Sequence, residues 1–175
     1  MNKMFRLVCV LMLVCGMMLT SCSGNDIRDI VDAVEPAEST SPTISVSRAT
    51  AQPGDKSVEV AVSVWNNPGV VAMTLELHYD ESVLTLTDVK QGDALSEMNF
   101  TKPKDLGNGC KLPWDAESVS KDKDTNGVAV ILRFTVAESA VPGEYAVSVH
   151  NYGEIVDNDL RPVTFAYEAG SITVS

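Results

Sequence analysis

Polar and apolar residues alternate along most of the chain beyond Thr43. In "SVEVAVSV", residues 57–64, Val58, Val60, Val62 and Val64 interleave with Ser57, Glu59, Ala61 and Ser63, a period of two that marks a half-buried strand. "MTLELHY" sets Met73, Leu75, Leu77 and Tyr79 against Thr74, Glu76 and His78, and "VAVILRFTV" puts Val128, Val130, Leu132, Phe134 and Val136 on one face. Between such runs stand "QPGD", "NNPG", "DES", "NG", "VPG", "DND" and "EAGS", sequences rich in turn-forming residues. The pattern predicts nine strands, at 44–48, 57–65, 70–79, 83–89, 97–101, 109–115, 128–136, 144–150 and 163–174, the last admitting an interruption, with no helix between them. Many short alternating strands in one stretch of this length predict an all-β domain of two sheets packed face to face, a β-sandwich.

The first 42 residues have a different texture. Lys3 and Arg6 precede an uncharged run from Leu7 to Leu19, the right length for a signal-peptide core and short for a bilayer span. That run ends in "LTSC", which resembles the lipobox of bacterial lipoproteins. The resemblance implies removal of residues 1–21 and lipidation of Cys22. From 22 to 42 the sequence "CSGNDIRDIVDAVEPAESTSP" is too poor in apolar residues towards its end to bury a core, and is expected to act as a flexible tether. The expected organisation is therefore a signal peptide over 1–21, a tether over 22–42 and a folded domain over 43–175.

Charge narrows the partners. The formal net charge is -11, and loss of Lys3 and Arg6 with the signal makes it -13. Nucleic acid is disfavoured by that sign, and so is adsorption to anionic lipid, which leaves the acyl chains on Cys22 as the expected membrane attachment. Cys9 and Cys15 leave with the signal, so Cys110 is the one thiol of the folded domain and no disulfide is expected within it. It reads as a small, half-buried strand residue. A lone cysteine with two distant histidines, His78 and His150, lacks the paired spacing of a zinc site.

One motif points elsewhere. "DKDTNG", residues 122–127, places Asp122, Asp124, Asn126 and Gly127 at positions 1, 3, 5 and 6 of a calcium-binding loop. Position 12, where a bidentate glutamate is required, is Arg133, and the flank alternates as a strand instead of forming the exit helix. The stretch is expected to be the loop entering the strand at Val128, and no metal or cofactor is expected.

Several segments in order, "AQPGDKSVEVAVSV", "LELHYDESVLTLTDVKQGDAL", "NGVAVILRFTV", "AVPGEYAVSV", "DNDL" and "AGSITV", together resemble a cohesin module, the receptor that binds dockerin in bacterial polysaccharide-degrading complexes. The resemblance covers about 43–175. It implies a nine-stranded jelly-roll β-sandwich that is not an enzyme and that receives a helical dockerin on one sheet face. Ala72 and Thr74 fall where well-known members carry Asn and Asp, Pro113 and Leu160 fall on apolar contacts, and Glu117 or Ala116 falls near a family glutamate. The implied partner-binding set is Ala72, Thr74, Glu76, Pro113, Asp115, Glu117 and Leu160. The implied protein is a monomer held by lipid on the outer side of the cytoplasmic membrane, where it captures a dockerin-bearing enzyme or scaffoldin.

Three rivals remain on residues alone: an enzyme, a carbohydrate-binding module, and an immunoglobulin-like spacer or adhesion domain with no ligand of its own, whose sequence would look much the same. Carboxylate pairs such as Asp115 with Glu117, or Asp157 with Asp159, are what glycoside hydrolysis uses, but an acidic chain scatters such pairs in any case. A carbohydrate-binding module needs coplanar exposed aromatic rings. Trp65 and Tyr152 are the candidates, with Trp114, Tyr145 and Tyr167 expected in the core.

Overall fold

The computed structural model describes residues 40–119 and 126–175. Within them the chain forms twelve strands: β1 (Thr43–Val46), β2 (Arg48–Ala51), β3 (Val58–Trp65), β4 (Val70–Tyr79), β5 (Leu84–Gln91), β6 (Asn99–Phe100), β7 (Lys111–Asp115), β8 (Gly127–Val136), β9 (Gly143–Asn151), β10 (Val156–Asp157), β11 (Ala166–Glu168) and β12 (Gly170–Val174). One sheet has the order β11-β1-β3-β8-β5. The other runs β2-β12-β9-β4-β7-β6, with β10 added alongside β4. The all-β sandwich read from the alternation is therefore present, and each predicted run contains a strand.

The strand count differs from nine for identifiable reasons. The first predicted run divides at Ser47: β1 pairs with β3 in one sheet, and β2 pairs with β12 in the other. Ser47 makes the crossing by donating its N–H to the Ala61 carbonyl at 2.8 Å and accepting the Ala61 N–H on Oγ at 2.9 Å. The last run divides in the same way into β11, parallel to β1, and β12, parallel to β2. Gly170 is required there, because a Cβ on it would lie 2.0 Å from the Ser47 carbonyl oxygen. The two chain-terminal strand pairs thus change sheets together, side by side. β10 was not predicted, and the 97–101 run shrinks to the two residues of β6.

The core takes the inward valines and leucines of both sheets. Val60, Val62, Leu75, Leu77, Leu84, Leu112, Leu132 and Phe134 are fully buried, and Trp114 is nearly so. Each such aliphatic side chain contributes on the order of 1.5–3 kcal/mol when removed from water. Tyr79 packs edge-on against Phe134 with ring centroids 5.1 Å apart, and Phe100 covers Trp114 at 4.9 Å. Leu84 and Leu86 share the core face, and Asp80 caps its turn by accepting the Ser82 N–H at 2.9 Å.

Arg133 confirms that 127–136 is strand. It sits opposite Glu59 in the β3–β8 ladder and donates Nε and Nη2 to Glu59 Oε1 at 3.1 and 2.7 Å. Asn126 Oδ1 accepts the Asn67 N–H at 3.1 Å, and Gly127 turns the chain into β8 with φ of 115°. Asp122 and Asp124 of the calcium-like pattern lie outside the described residues, as do Cys22 and the segment expected to be a signal peptide, and almost all of the segment expected to be a tether.

Candidate functional site

β4 lies in the middle of its sheet, and its period of two turns Ala72, Thr74, Glu76 and His78 away from the core. Register builds a face around them. On one side Ala72 pairs with Asp115, Thr74 with Pro113 and Glu76 with Lys111; on the other, Ala72 pairs with Val156 and Glu76 with His150. Pro113 is tolerated in β7 because its carbonyl accepts the Thr101 N–H at 3.2 Å, so its ring nitrogen, which has no hydrogen to donate, faces the sheet-edge side and not β4.

The face has two halves. Ala72, Thr74, Pro113 and Val156 form a half-buried centre without a charge. Below it Lys111 Nζ binds Glu76 Oε1 at 2.5 Å and lies 3.9 Å from the centre of the Tyr152 ring. His78 Nε2 is 3.8 Å from Glu76 Oε2, and the His78 and His150 rings are 5.5 Å apart. The hydrogen bond from Lys111 holds the Glu76 carboxyl below the ordinary carboxylate range.

A small hairpin borders the uncharged half. Val156 and Pro162 form an isolated bridge, so the turn between them stands beside Ala72. Asp157 is buried to 9% exposure and organises this turn: its Oδ1 accepts the N–H groups of Asp159 and Arg161, both at 2.9 Å, and its Oδ2 accepts Arg161 Nε at 3.1 Å. The backbone hydrogen bond from Arg161, with others from the same turn, pulls the Asp157 carboxyl below its usual range. Leu160 projects from the turn with φ of 57° and 75% exposure. Asn158 ties the hairpin to the segment after β7, accepting the Val119 N–H at 3.0 Å and donating to the Val119 carbonyl at 3.2 Å.

The predicted residues thus fall together. Ala72, Thr74, Glu76, Pro113 and Asp115 occupy one sheet face, and Leu160 borders it from the hairpin. Glu117 lies beyond β7, exposed, whereas Ala116 is half-buried with its N–H on the Val71 carbonyl at 2.8 Å, so Glu117 is the one available to a partner. Sequence reasoning missed Lys111, Val156, His150 and Tyr152 as members of the face, and Asp157 as the residue that organises the hairpin beside it. Alternation of Lys111 with Pro113 and Asp115 carried that signal for Lys111; the rest depends on cross-strand pairing.

Other candidates separate. Trp65 is half-buried on β3 of the opposite sheet, with Nε1 donating to Ser45 Oγ at 3.0 Å, whereas Tyr152 follows β9, so the two form no common aromatic platform. Trp114 is in the core, and Tyr145 and Tyr167 pack against it partly buried. Asp157 and Asp159 are both engaged by Arg161. Cys110 precedes β7 instead of lying within it and is buried, not half-buried, and desolvation raises its thiol pKa. Among the described residues no group of three His, Cys, Asp or Glu side chains is placed to hold a metal ion.

Comparison with known proteins gives a consistent result. The cohesin domain family model matches residues 42–174. Cellulosomal-scaffolding protein A of Acetivibrio thermocellus is 26% identical over 142 residues, which is 76% of this chain and 8% of that protein's length. A non-cellulosomal cohesin from the archaeon Archaeoglobus fulgidus superposes with a TM-score of 0.64 at 26% identity, over 77% of this chain and 91% of that one. The sixth cohesin of scaffoldin B from Acetivibrio cellulolyticus, solved in complex with a dockerin, superposes with a TM-score of 0.65 at 19% identity, over 77% and 99% of the two chains.

Proposed function

The chain belongs to the cohesin family, and on that premise we propose that the outer face of the β4 sheet docks a dockerin module borne by an enzyme or scaffoldin of a polysaccharide-degrading complex. Cohesin domains are structural scaffolding modules and not enzymes. The observation that carries the reading is the juxtaposition of an uncharged, half-buried centre at Ala72, Thr74 and Pro113 with a fixed, exposed leucine at its border. Binding interfaces of this kind draw most of their strength from a few apolar anchors within a polar rim. Asp115, Glu117 and Asp159 supply an acidic part of that rim, which favours a partner with basic side chains around its contact.

Where well-known members have Asn and Asp, this chain has Ala72 and Thr74, so its partner is a dockerin that does not rely on strong polar contacts at those points. Export through the signal at 1–21, lipidation of Cys22, the tether over 22–42 and a monomeric domain over 43–175 complete the proposal: a receptor displayed on the outer side of the cytoplasmic membrane. Capture from the secretome of the producing bacterium, read by mass spectrometry, tests it. Dockerin-containing proteins released by a calcium chelator are the expected result. Their absence, with retardation of the protein on starch or cellulose gels, would overturn docking in favour of carbohydrate binding. Mass spectrometry of the native N-terminus tests the anchor, which an unmodified residue other than Cys22 would exclude.

A further inference from the structure

We propose that Asp157 is a positioning residue for docking: without touching the partner, it holds Leu160 in the one backbone conformation that presents the leucine to it. This rests on the docking face proposed above. Leucine has no intrinsic liking for φ of 57°, where its Cβ crowds the following carbonyl. An exposed leucine gains nothing locally from being there, so the surroundings must impose the geometry.

Asp157 is the residue that imposes it. Its N–H donates to the Arg161 carbonyl at 3.0 Å, and its carbonyl accepts the Leu160 N–H at 2.9 Å. Its two carboxylate oxygens take the N–H groups of Asp159 and Arg161 and the Arg161 guanidinium. All four polar atoms of Asp157 are therefore engaged with residues 159–161, the residues that flank and include Leu160. Arg161 closes the turn from outside through Nη2 to Asp159 Oδ2 at 2.5 Å. Such a turn removes, before binding, the entropy that an unrestrained apolar side chain would lose on docking, and preorganisation of this kind raises affinity without adding a contact.

A double-mutant cycle tests this, using as probe the tightest-binding member of a panel of recombinant calcium-loaded dockerin domains. Leu160→Ala is expected to weaken binding about 5- to 30-fold, and Asp157→Ala to weaken it by a similar factor; in the Leu160→Ala background Asp157→Ala should add almost nothing. Asp157→Asn keeps an oxygen that accepts both backbone N–H groups, so it should stay within about 3-fold of the parent. Amide exchange at Asp159 and Arg161 should accelerate in Asp157→Ala and not in Asp157→Asn. If Leu160→Ala weakens binding while Asp157→Ala leaves it unchanged, or if the two losses are additive, the positioning role is wrong and the docking face stands. If Leu160→Ala leaves binding unchanged, the hairpin is not part of the docking face and the positioning role falls with it. Should Asp157→Ala fail to fold, the Asn variant carries the test: a loss as large as that of Leu160→Ala would overturn the proposal.

Discussion

Replacing Leu160 by glycine should make the protein fold slightly better and bind worse. In the left-handed region an L side chain costs roughly 1–2 kcal/mol, which glycine does not incur. Against that gain, glycine frees the unfolded chain at a cost of roughly 0.5–1 kcal/mol. Leu160 is 75% exposed, so its removal forfeits little packing. The net expectation is a gain of about 0.5–1 kcal/mol, or a rise of roughly 1–4 °C in Tm for a domain of this size. For binding, full burial of a leucine is worth roughly 1.5–3 kcal/mol, and three-quarters of that surface is still open in the free protein, so its loss should weaken docking by about 1–2 kcal/mol, roughly 5- to 30-fold in Kd. Differential scanning calorimetry and isothermal titration on the same preparations read both signs. A Tm lowered by several degrees would show that Leu160 serves the fold, and an unchanged Kd would show that it serves no partner. Either result refutes the reasoning.

Three further outcomes follow from the fold. Gly170→Ala would bring a methyl group within 2.5 Å of the Val46 carbonyl oxygen as well as onto Ser47, and should cost about 3 kcal/mol or more in urea denaturation; a loss below about 1 kcal/mol would contradict the close crossing. Asp80, Asp88, Asp157 and Glu76 are held below their ordinary values, by Ser82, Lys102, the Arg161 backbone and Lys111 respectively. Depressed carboxylates stabilise the fold above their unfolded pKa, so Tm should hold from pH 7 to about pH 5 and fall as pH drops through about 4 and below; equal values at about pH 6 and pH 2.5 would contradict it. Cys110, buried with a raised thiol pKa, should be alkylated by iodoacetamide at about pH 8 at least 100-fold more slowly than in urea, as followed by peptide mass spectrometry. Rapid labelling of the folded protein would show that the segment before β7 opens.

Alternation made the long strands legible, because β4 and β8 each alternate buried residues with half-buried ones along most of their ten residues. The same property hid the sheet exchange. At Ser47 and Gly170 the reason for the break is a contact between two segments more than a hundred residues apart, and "EAGS" reads simply as a turn. β10 escaped because "IVDNDL" is too short to show a period and pairs with β4 only after the chain has folded. For the site, Thr74 and Ala72 were legible as outward residues of one strand, and Leu160 from the resemblance alone. Asp157 was not. Its role lies in hydrogen bonds to residues 159–161, and an acidic residue in "DNDL" looks like any solvated turn. Likewise, the Lys111 contact with Tyr152 depends on chain geometry that neither strand reveals by itself.

Affinity for a panel of calcium-loaded dockerin domains, measured for the parent protein and for Thr74→Arg, Leu160→Arg and Thr85→Arg, tests the central claim most directly. Thr85 is exposed on β5 of the opposite sheet and serves as the control. At least one dockerin should bind with Kd near or below about 1 μM, the two face variants should lose about 100-fold or more, and Thr85→Arg should bind as the parent does. Normal binding by Thr74→Arg and Leu160→Arg, or loss confined to Thr85→Arg, would contradict docking on the β4 face.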